Sequence, residues 1–178
     1  MTRAFVAVRL PEAVLDAVEE RTAGITVPGR RTTRDQWHLT LQFLGNRADV
    51  DAVASVLTGI DVEPGPARIG DAGAFPDARR ARVLWFGLAD GAALLARLAA
   101  AVMTRTEPLG HEREARAYRP HLTLARTRTP TDLRDAVAAL GDDPVGPAWR
   151  VDAVTVFESR TQRDGARYIE RATIPLPG

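Results

Sequence analysis

The tetrapeptide His-Leu-Thr-Leu occurs twice, at His38–Leu41 and His121–Leu124, and takes up two of the three histidines in a chain of 178 residues. In an extended strand alternate side chains share a face. His38 and Thr40 then stand together with Leu39 and Leu41 behind them, and His121 and Thr123 repeat the arrangement over Leu122 and Leu124. Two such fronts turned toward each other supply two imidazoles and two hydroxyls. An unperturbed imidazole titrates at about 6.5, so near neutrality one ring can be neutral while the other is charged. One can take a proton from water and the other can give one to a leaving oxygen. The threonine hydroxyls can donate to the non-bridging oxygens of a pentacoordinate phosphorus. The chemistry available to this set is acid–base cleavage of a phosphate ester.

A single histidine in an apolar strand is usually a tolerated polar residue. Two identical copies at duplicated positions favour catalysis instead. His111, in the polar stretch Gly110–Arg113, reads as a surface residue.

Other chemistries lack their parts. The chain has no cysteine, and all 24 of its basic residues are arginine, so thiolate and lysine-amine nucleophiles are excluded. Ser55 and Ser159 lie outside any nucleophile elbow. Asp35, Glu112 and Glu114 flank the motifs without ligand-like spacing, and two histidines are too few for a metal centre. Neither metal nor cofactor is expected. A net charge of +1 gives no global basic field of the kind a non-specific duplex binder needs. No apolar run reaches membrane-spanning length, and the early charge at Arg3 argues against a signal peptide. The expectation is a cytoplasmic monomer without membrane contact.

The elements that must carry the motifs follow from periodicity. Phe5–Val8 reads as a strand, and Pro11, Val14, Leu15 and Val18 as a helix start and its apolar stripe. The first motif strand spans Trp37–Leu44, closed by Gly45-Asn46. A helix over Asp49–Leu57 follows, then a strand near Ala67–Gly70 and a loop at Gly73–Arg80. The order then repeats. A strand at Arg82–Leu88 precedes a helix marked by Leu94, Leu95, Leu98 and Val102, and the second motif strand covers Arg119–Arg126. Thr131 is positioned to cap a helix carrying Leu133, Val137 and Leu140. Trp149–Phe157 is a strand, Asp164-Gly165 a turn, and Ala166–Ile174 its hairpin partner. This predicts an α+β domain over residues 1–178 with pseudo-repeats of about 1–75 and 76–178. Two antiparallel-rich sheets line a central cleft, with helices outside.

The paired His-x-Thr-x motifs resemble those of the two-histidine (2H) phosphoesterases. The similarity runs nearly end to end, through Arg3–Pro11, Trp37–Gly45, Gly73–Pro76, Arg82–Trp85, Tyr118–Arg126 and Gly165–Tyr168. These flanks resemble the RNA 2′,3′-cyclic phosphodiesterases, also called 2′-5′ RNA ligases. The resemblance implies a bilobal pseudo-twofold fold and metal-independent opening of a 2′,3′-cyclic phosphate RNA end to a 2′-phosphate. It assigns His38 as proton donor and His121 as proton acceptor, a choice the near-symmetric halves leave open. Thr40 and Thr123 map onto the motif threonines. Tyr118 stands where the family often has Phe.

Three further residues are candidates for RNA contact: Arg119, Tyr118 and the aromatic Phe43. Arg126 is a candidate phosphate ligand. It lies five residues after His121, so a regular strand points it away from the imidazole, and a bulge or strand end is needed. Arg79, Arg80 and Arg82 form a basic cluster that either tracks an RNA backbone or is a solvated turn. Other readings are a small cyclic nucleotide or ADP-ribose cyclic phosphate as substrate, and a non-catalytic RNA-end binding module.

Overall fold

The computed structural model describes residues 1–162 and 165–178. In chain order it contains β1 (Thr2–Arg9), α1 (Glu12–Thr22), β2 (Arg30–Arg31), β3 (His38–Ala48), α2 (Val50–Leu57), β4 (Gly65–Phe75) and β5 (Ala81–Asp90). There follow α3 (Ala92–Thr106), β6 (Leu122–Thr131), α4 (Arg134–Leu140), β7 (Val145–Val151), β8 (Ala153–Gln162) and β9 (Gly165–Pro175). No helix of the described residues is long and apolar enough to cross a membrane.

The strands form one antiparallel sheet in the order β7-β4-β5-β6-β3-β1-β8-β9, with β2 paired to β6. The expected α+β architecture is therefore present, and its two sheets are two arms of a single hydrogen-bonded surface. The arms meet where the motif strands meet, and β3 and β6 share one register pair, Leu39 with Leu122. Both leucines are fully buried. Outward from that seam lie β1 on one side and β5 on the other. Each inner pair is joined through its own helix, α1 or α3, which is the repeated strand–helix–motif strand unit. Beyond it the halves exchange strands: β4 pairs with β5 and β7, while β8 and β9 return to β1.

Helix periodicity supplies the cover. Val14 and Val18 of α1, Val53 and Leu57 of α2, and Leu95, Leu98 and Val102 of α3 are inaccessible to solvent. They recur at three- and four-residue spacing, so each helix buries one stripe. They join Leu39, Leu41, Leu122 and Leu124 in one core, which leaves the histidine-bearing face uncovered. Burial of each such side chain contributes roughly 1.5–3 kcal/mol.

Several boundaries differ from the sequence expectation. β3 continues through Gly45-Asn46, where Gly45 takes φ +78° at a register shift rather than ending the strand. β4 runs to Phe75, so the expected loop begins later. Gly73 is in the strand because the Trp85 ring lies over it, and a Cβ there would fall 2.2 Å from the indole. The stretch 149–157 is two strands that part at Asp152 and pair in opposite arms. Thr131 closes β6, and Asp132 instead accepts the Arg134 N–H near the start of α4, at 3.1 Å. β6 starts at Leu122, because Pro120 offers no N–H to a ladder; His121 therefore sits at its mouth. Gly165 opens β9, while Asp164 of the expected turn lies outside the described residues.

One buried polar contact pins α3 to the first motif strand. The Thr106 hydroxyl lies 2.7 Å from Gln42 Oε1, and both residues are buried. Thr106→Val preserves shape and strips the amide of its close partner. The expected cost is about 1–3 kcal/mol, read as a lower urea midpoint at unchanged m-value. A loss below about 0.5 kcal/mol would show that Gln42 is satisfied elsewhere.

Candidate active site

Both motif histidines line one cavity of about 490 Å³, together with Thr40, Thr123 and Arg126. Each ring has a backbone partner two residues earlier in the chain. His121 Nδ1 is 2.7 Å from the carbonyl oxygen of Arg119, two residues earlier. His38 hydrogen-bonds the backbone of Gln36, also two residues earlier. Donating from Nδ1 to a carbonyl, the His121 ring presents Nε2 to the cavity. The Gln36 carbonyl is itself fixed. Gln36 closes a capping box with Thr33 in the 3-10 turn Arg34–Gln36, and its Nε2 donates to the Ala166 carbonyl at 2.6 Å.

Aromatic rings pack on both imidazoles. Phe5 stacks on His38 at 4.6 Å between centroids, and Tyr168 meets the same ring edge-on at 5.2 Å. Phe75 meets His121 edge-on at 4.9 Å. This burial is the main reason that the His38 pKa is lowered to about 4, with Arg126 and His121 adding repulsion against the bond to Gln36. Burial, followed by the charges of Arg126 and Arg119, lowers His121 as well. In the free protein at neutral pH both rings are therefore neutral.

The two motif strands carry matched bulges. Val6 faces Gln42 but Ala7 faces Thr40, so Leu41 is an extra residue in β3. Trp85 faces Thr123 but Leu84 faces Ala125, so Leu124 is extra in β6. Accordingly Leu41 and Gln42 are both buried, as are Leu124 and Ala125. One extra residue resets the alternation. It returns the residue five positions after each histidine to the cleft: Phe43 in the first copy, Arg126 in the second. The bulge that Arg126 needs is present, and its guanidinium charge acts on both imidazoles.

A second cavity of about 610 Å³ adjoins the first and shares Thr40, Phe43, His121 and Arg126 with it. Tyr118, Arg119, Phe75 and Val83 are in its wall. Phe43 is 52% exposed, an uncovered ring at the junction of the cavities. Arg119 lies over Phe75 at 5.3 Å and Trp85 at 5.7 Å, so its guanidinium is a flat extension of an aromatic wall. Tyr118 donates its hydroxyl to the Thr40 carbonyl at 2.9 Å and braces one motif against the other. Its burial raises the phenol pKa, so it stays protonated. The reading from sequence missed Arg3, Thr32, Gln36 and Tyr168, which complete the first cavity. Thr32 straps the second motif by donating its hydroxyl to the Thr123 carbonyl at 2.8 Å, and the same hydroxyl oxygen accepts from Trp37 Nε1 at 3.0 Å. Tyr168 belongs to the closing Gly165–Tyr168 similarity, the one signal that could have found it. Among the described residues no three His, Cys, Asp or Glu side chains are grouped so as to hold a metal ion.

A cleft floored by two bulged His-x-Thr-x strands, between antiparallel arms backed by helices, is that of the two-histidine phosphoesterases. The family model of the 2′-5′ RNA ligase superfamily matches residues 10–163, and the chain belongs to that superfamily. It is 31% identical to the RNA 2′,3′-cyclic phosphodiesterase of Escherichia coli, over 93% of this chain and 92% of that one. Against the protein of the same name from Thermus thermophilus it is 32% identical, over 99% and 91%. Among solved structures, apo E. coli LigT superposes with a TM-score of 0.79 at 26% identity, over 99% of this chain and 98% of that one. E. coli LigT complexed with 3′-AMP gives 0.80 at 26% identity, over 99% of each chain.

Proposed function

We propose that this protein hydrolyses 2′,3′-cyclic phosphate ends of RNA to 2′-phosphates, with the two motif histidines as acid and base and without a metal. The observation that carries the reading is the convergence of His38, His121, Thr40, Thr123 and Arg126 on one nucleotide-sized cavity. The names of the similar proteins support the substrate class. One imidazole takes a proton from water as its oxygen bonds to phosphorus. The bond from phosphorus to the ribose 3′ oxygen breaks, and the other imidazole gives that oxygen its proton. Thr40, Thr123 and Arg126 hold the charge that gathers on the non-bridging oxygens. Phe43 and Arg119 offer flat faces to the terminal base. We keep the resemblance's assignment of His38 as donor and His121 as acceptor. Because burial lowers the His38 pKa in the free state, the bound phosphate anion must restore its proton.

The reactive protein carries one charged and one neutral ring. His38 is charged only below about 4, and above the ordinary histidine range both rings, each lowered by burial, are neutral. The expected kcat/KM profile is a bell centred on the acid side of 6.5. An anion between the rings raises their pKa values, so the alkaline limb of kcat lies at higher pH than that of kcat/KM. A flat profile between about pH 5 and 9 would contradict two-histidine catalysis. The direct test is incubation of an RNA bearing a 2′,3′-cyclic phosphate, with and without chelator, followed by mapping of the product ester. A 2′-phosphate formed at equal rate in both supports the proposal. Tight binding with no product would favour an end-binding module, and a chelator-sensitive rate would overturn the metal-free mechanism.

A second reading has one observation in its favour: cavities of 490 and 610 Å³ hold a nucleotide and little more. Small cyclic nucleotides would then suffice as substrates. Ligation, the reverse reaction, needs a 5′-hydroxyl strand and stands as a side activity.

A further inference from the structure

The turn between β4 and β5 is flanked on both sides by residues of the second cavity, Phe75 and Pro76 before it and Val83 after it. The segment from Asp77 to Arg82 therefore stands at the end of the cleft. Arg79, Arg80 and Arg82 are all exposed. Opposite them the ladder opens. Val83 faces Arg126, but Ala81 faces Thr131, so β6 has several more residues than β5 over this stretch. The outward loop so made carries Arg128, also exposed.

The surface is built rather than loose. Asp77 Oδ1 accepts the backbone N–H groups of Arg79 and Arg80, at 2.9 and 3.1 Å. Arg82 donates to the Arg128 carbonyl at 2.9 Å, and the Thr127 hydroxyl donates to the Ala81 carbonyl at 2.9 Å. Leu133 N donates to the Ala78 carbonyl at 2.7 Å. The neighbouring carboxylates are engaged, Asp77 with those amides and Asp132 with Arg134. Among the described residues no ion pair reaches Arg79, Arg80, Arg82, Arg126 or Arg128, whereas Arg9, Arg34, Arg113, Arg134, Arg160 and Arg171 are all paired elsewhere. A chain with near-zero net charge thus gathers Arg79, Arg80, Arg82 and Arg128 around the single carboxylate of Asp77, with Arg79 also near the Asp132 charge, and leaves a net positive lip at one end of its cleft, continuous with the arginine beside the imidazoles.

We infer that this lip binds the phosphodiester backbone of the single strand leading into the cleft, so that the protein selects polynucleotide ends over cyclic mononucleotides. The inference rests on the proposed function, whose cavities take the terminal nucleotide. Arg126 holds the reacting phosphate. Arg128, two residues on in the outward loop, meets the next, and Arg79 and Arg80 meet those beyond. Contacts of this kind give affinity without reading sequence, and they weaken with salt as counterions compete.

The test compares a cyclic-phosphate mononucleotide with a single-stranded decanucleotide carrying the same end, for the unaltered protein and for R79S/R80S/R128S. These exposed side chains lie outside both cavities, and Arg82, which ties the loop, is left in place. The expected result is a rise in decanucleotide KM on the order of tenfold with mononucleotide kcat/KM unchanged. The slope of log affinity against log salt should fall by about two, three charges at roughly 0.7 each on a single strand. Equal losses on both substrates, or an unchanged decanucleotide KM and salt slope, would overturn the inference. Anisotropy of the labelled 2′-phosphate decanucleotide is read in parallel. If the unaltered protein opens neither substrate, the assigned reaction fails, while weaker and less salt-sensitive binding by the variant still supports the lip and equal binding still refutes it.

Discussion

His121→Ala and His38→Ala each lower kcat for cyclic phosphate opening by about 10²–10⁴-fold, the range of a positioned acid or base. The geometry makes the effect specific. His121 is aimed by the Arg119 carbonyl, His38 has a backbone partner in Gln36, and both are packed by aromatic rings, so neither can be replaced by a mobile water without loss of alignment. The two variants separate by leaving group. A nitrophenyl phosphodiester departs without a proton, so the donor variant regains rate on it and the acceptor variant does not. The assignment adopted above puts the regain on His38→Ala; a regain confined to His121→Ala would exchange the roles. Stability gives a control. His38 in the folded state binds its proton less readily than in the unfolded chain, so the unfolded state gains protons first as pH falls. The native protein should lose on the order of 3 kcal/mol between about pH 6.5 and 4 from this group alone. His38→Ala lacks that loss, so a variant that is inactive at pH 7 while folded at pH 5 is catalytically rather than structurally impaired. Turnover within tenfold of the unaltered protein in both variants would remove the histidines from the mechanism.

Arg126→Met is expected to lower kcat/KM by about 10–100-fold, the worth of a charge-assisted hydrogen bond of roughly 1.5–3 kcal/mol. It carries a second signature. The Arg126 charge lowers both imidazole pKa values. Its removal raises them, so the alkaline limb of kcat/KM moves to higher pH while the maximum drops. Arg126→Lys keeps the charge and loses the planar fork. It should leave the limb in place at an intermediate rate. If Arg126→Met stays within twofold and the limb does not move, the guanidinium is only a feature of the rim.

The histidine pair was legible in the sequence because a tetrapeptide was repeated at duplicated positions, and its period-2 pattern placed His38 with Thr40 and His121 with Thr123. Arg126 was legible only conditionally. Strand alternation sends it to the wrong face, and the extra Leu124 that reverses this carries no mark, since Leu124 and Ala125 read as ordinary strand residues. The same holds for Phe43 after Leu41. Arg3, Gln36 and Tyr168 reach the cavity from β1, a 3-10 turn and β9. Their arrival depends on long-range pairing, which local periodicity does not encode. The single strand expected across 149–157 failed for a related reason: the hydrophobic pattern runs on through Asp152, and only the sheet order shows that its two sides go to opposite arms.

The exchange of strands between halves has a consequence for synthesis on the ribosome. Phe157 and Tyr168, which wall in the first imidazole, come from β8 and β9, more than a hundred residues after His38 itself. A nascent chain that has threaded out both histidines still lacks one flank of the cleft that holds them. The growing polypeptide therefore completes that flank late, when its final hairpin docks beside β1.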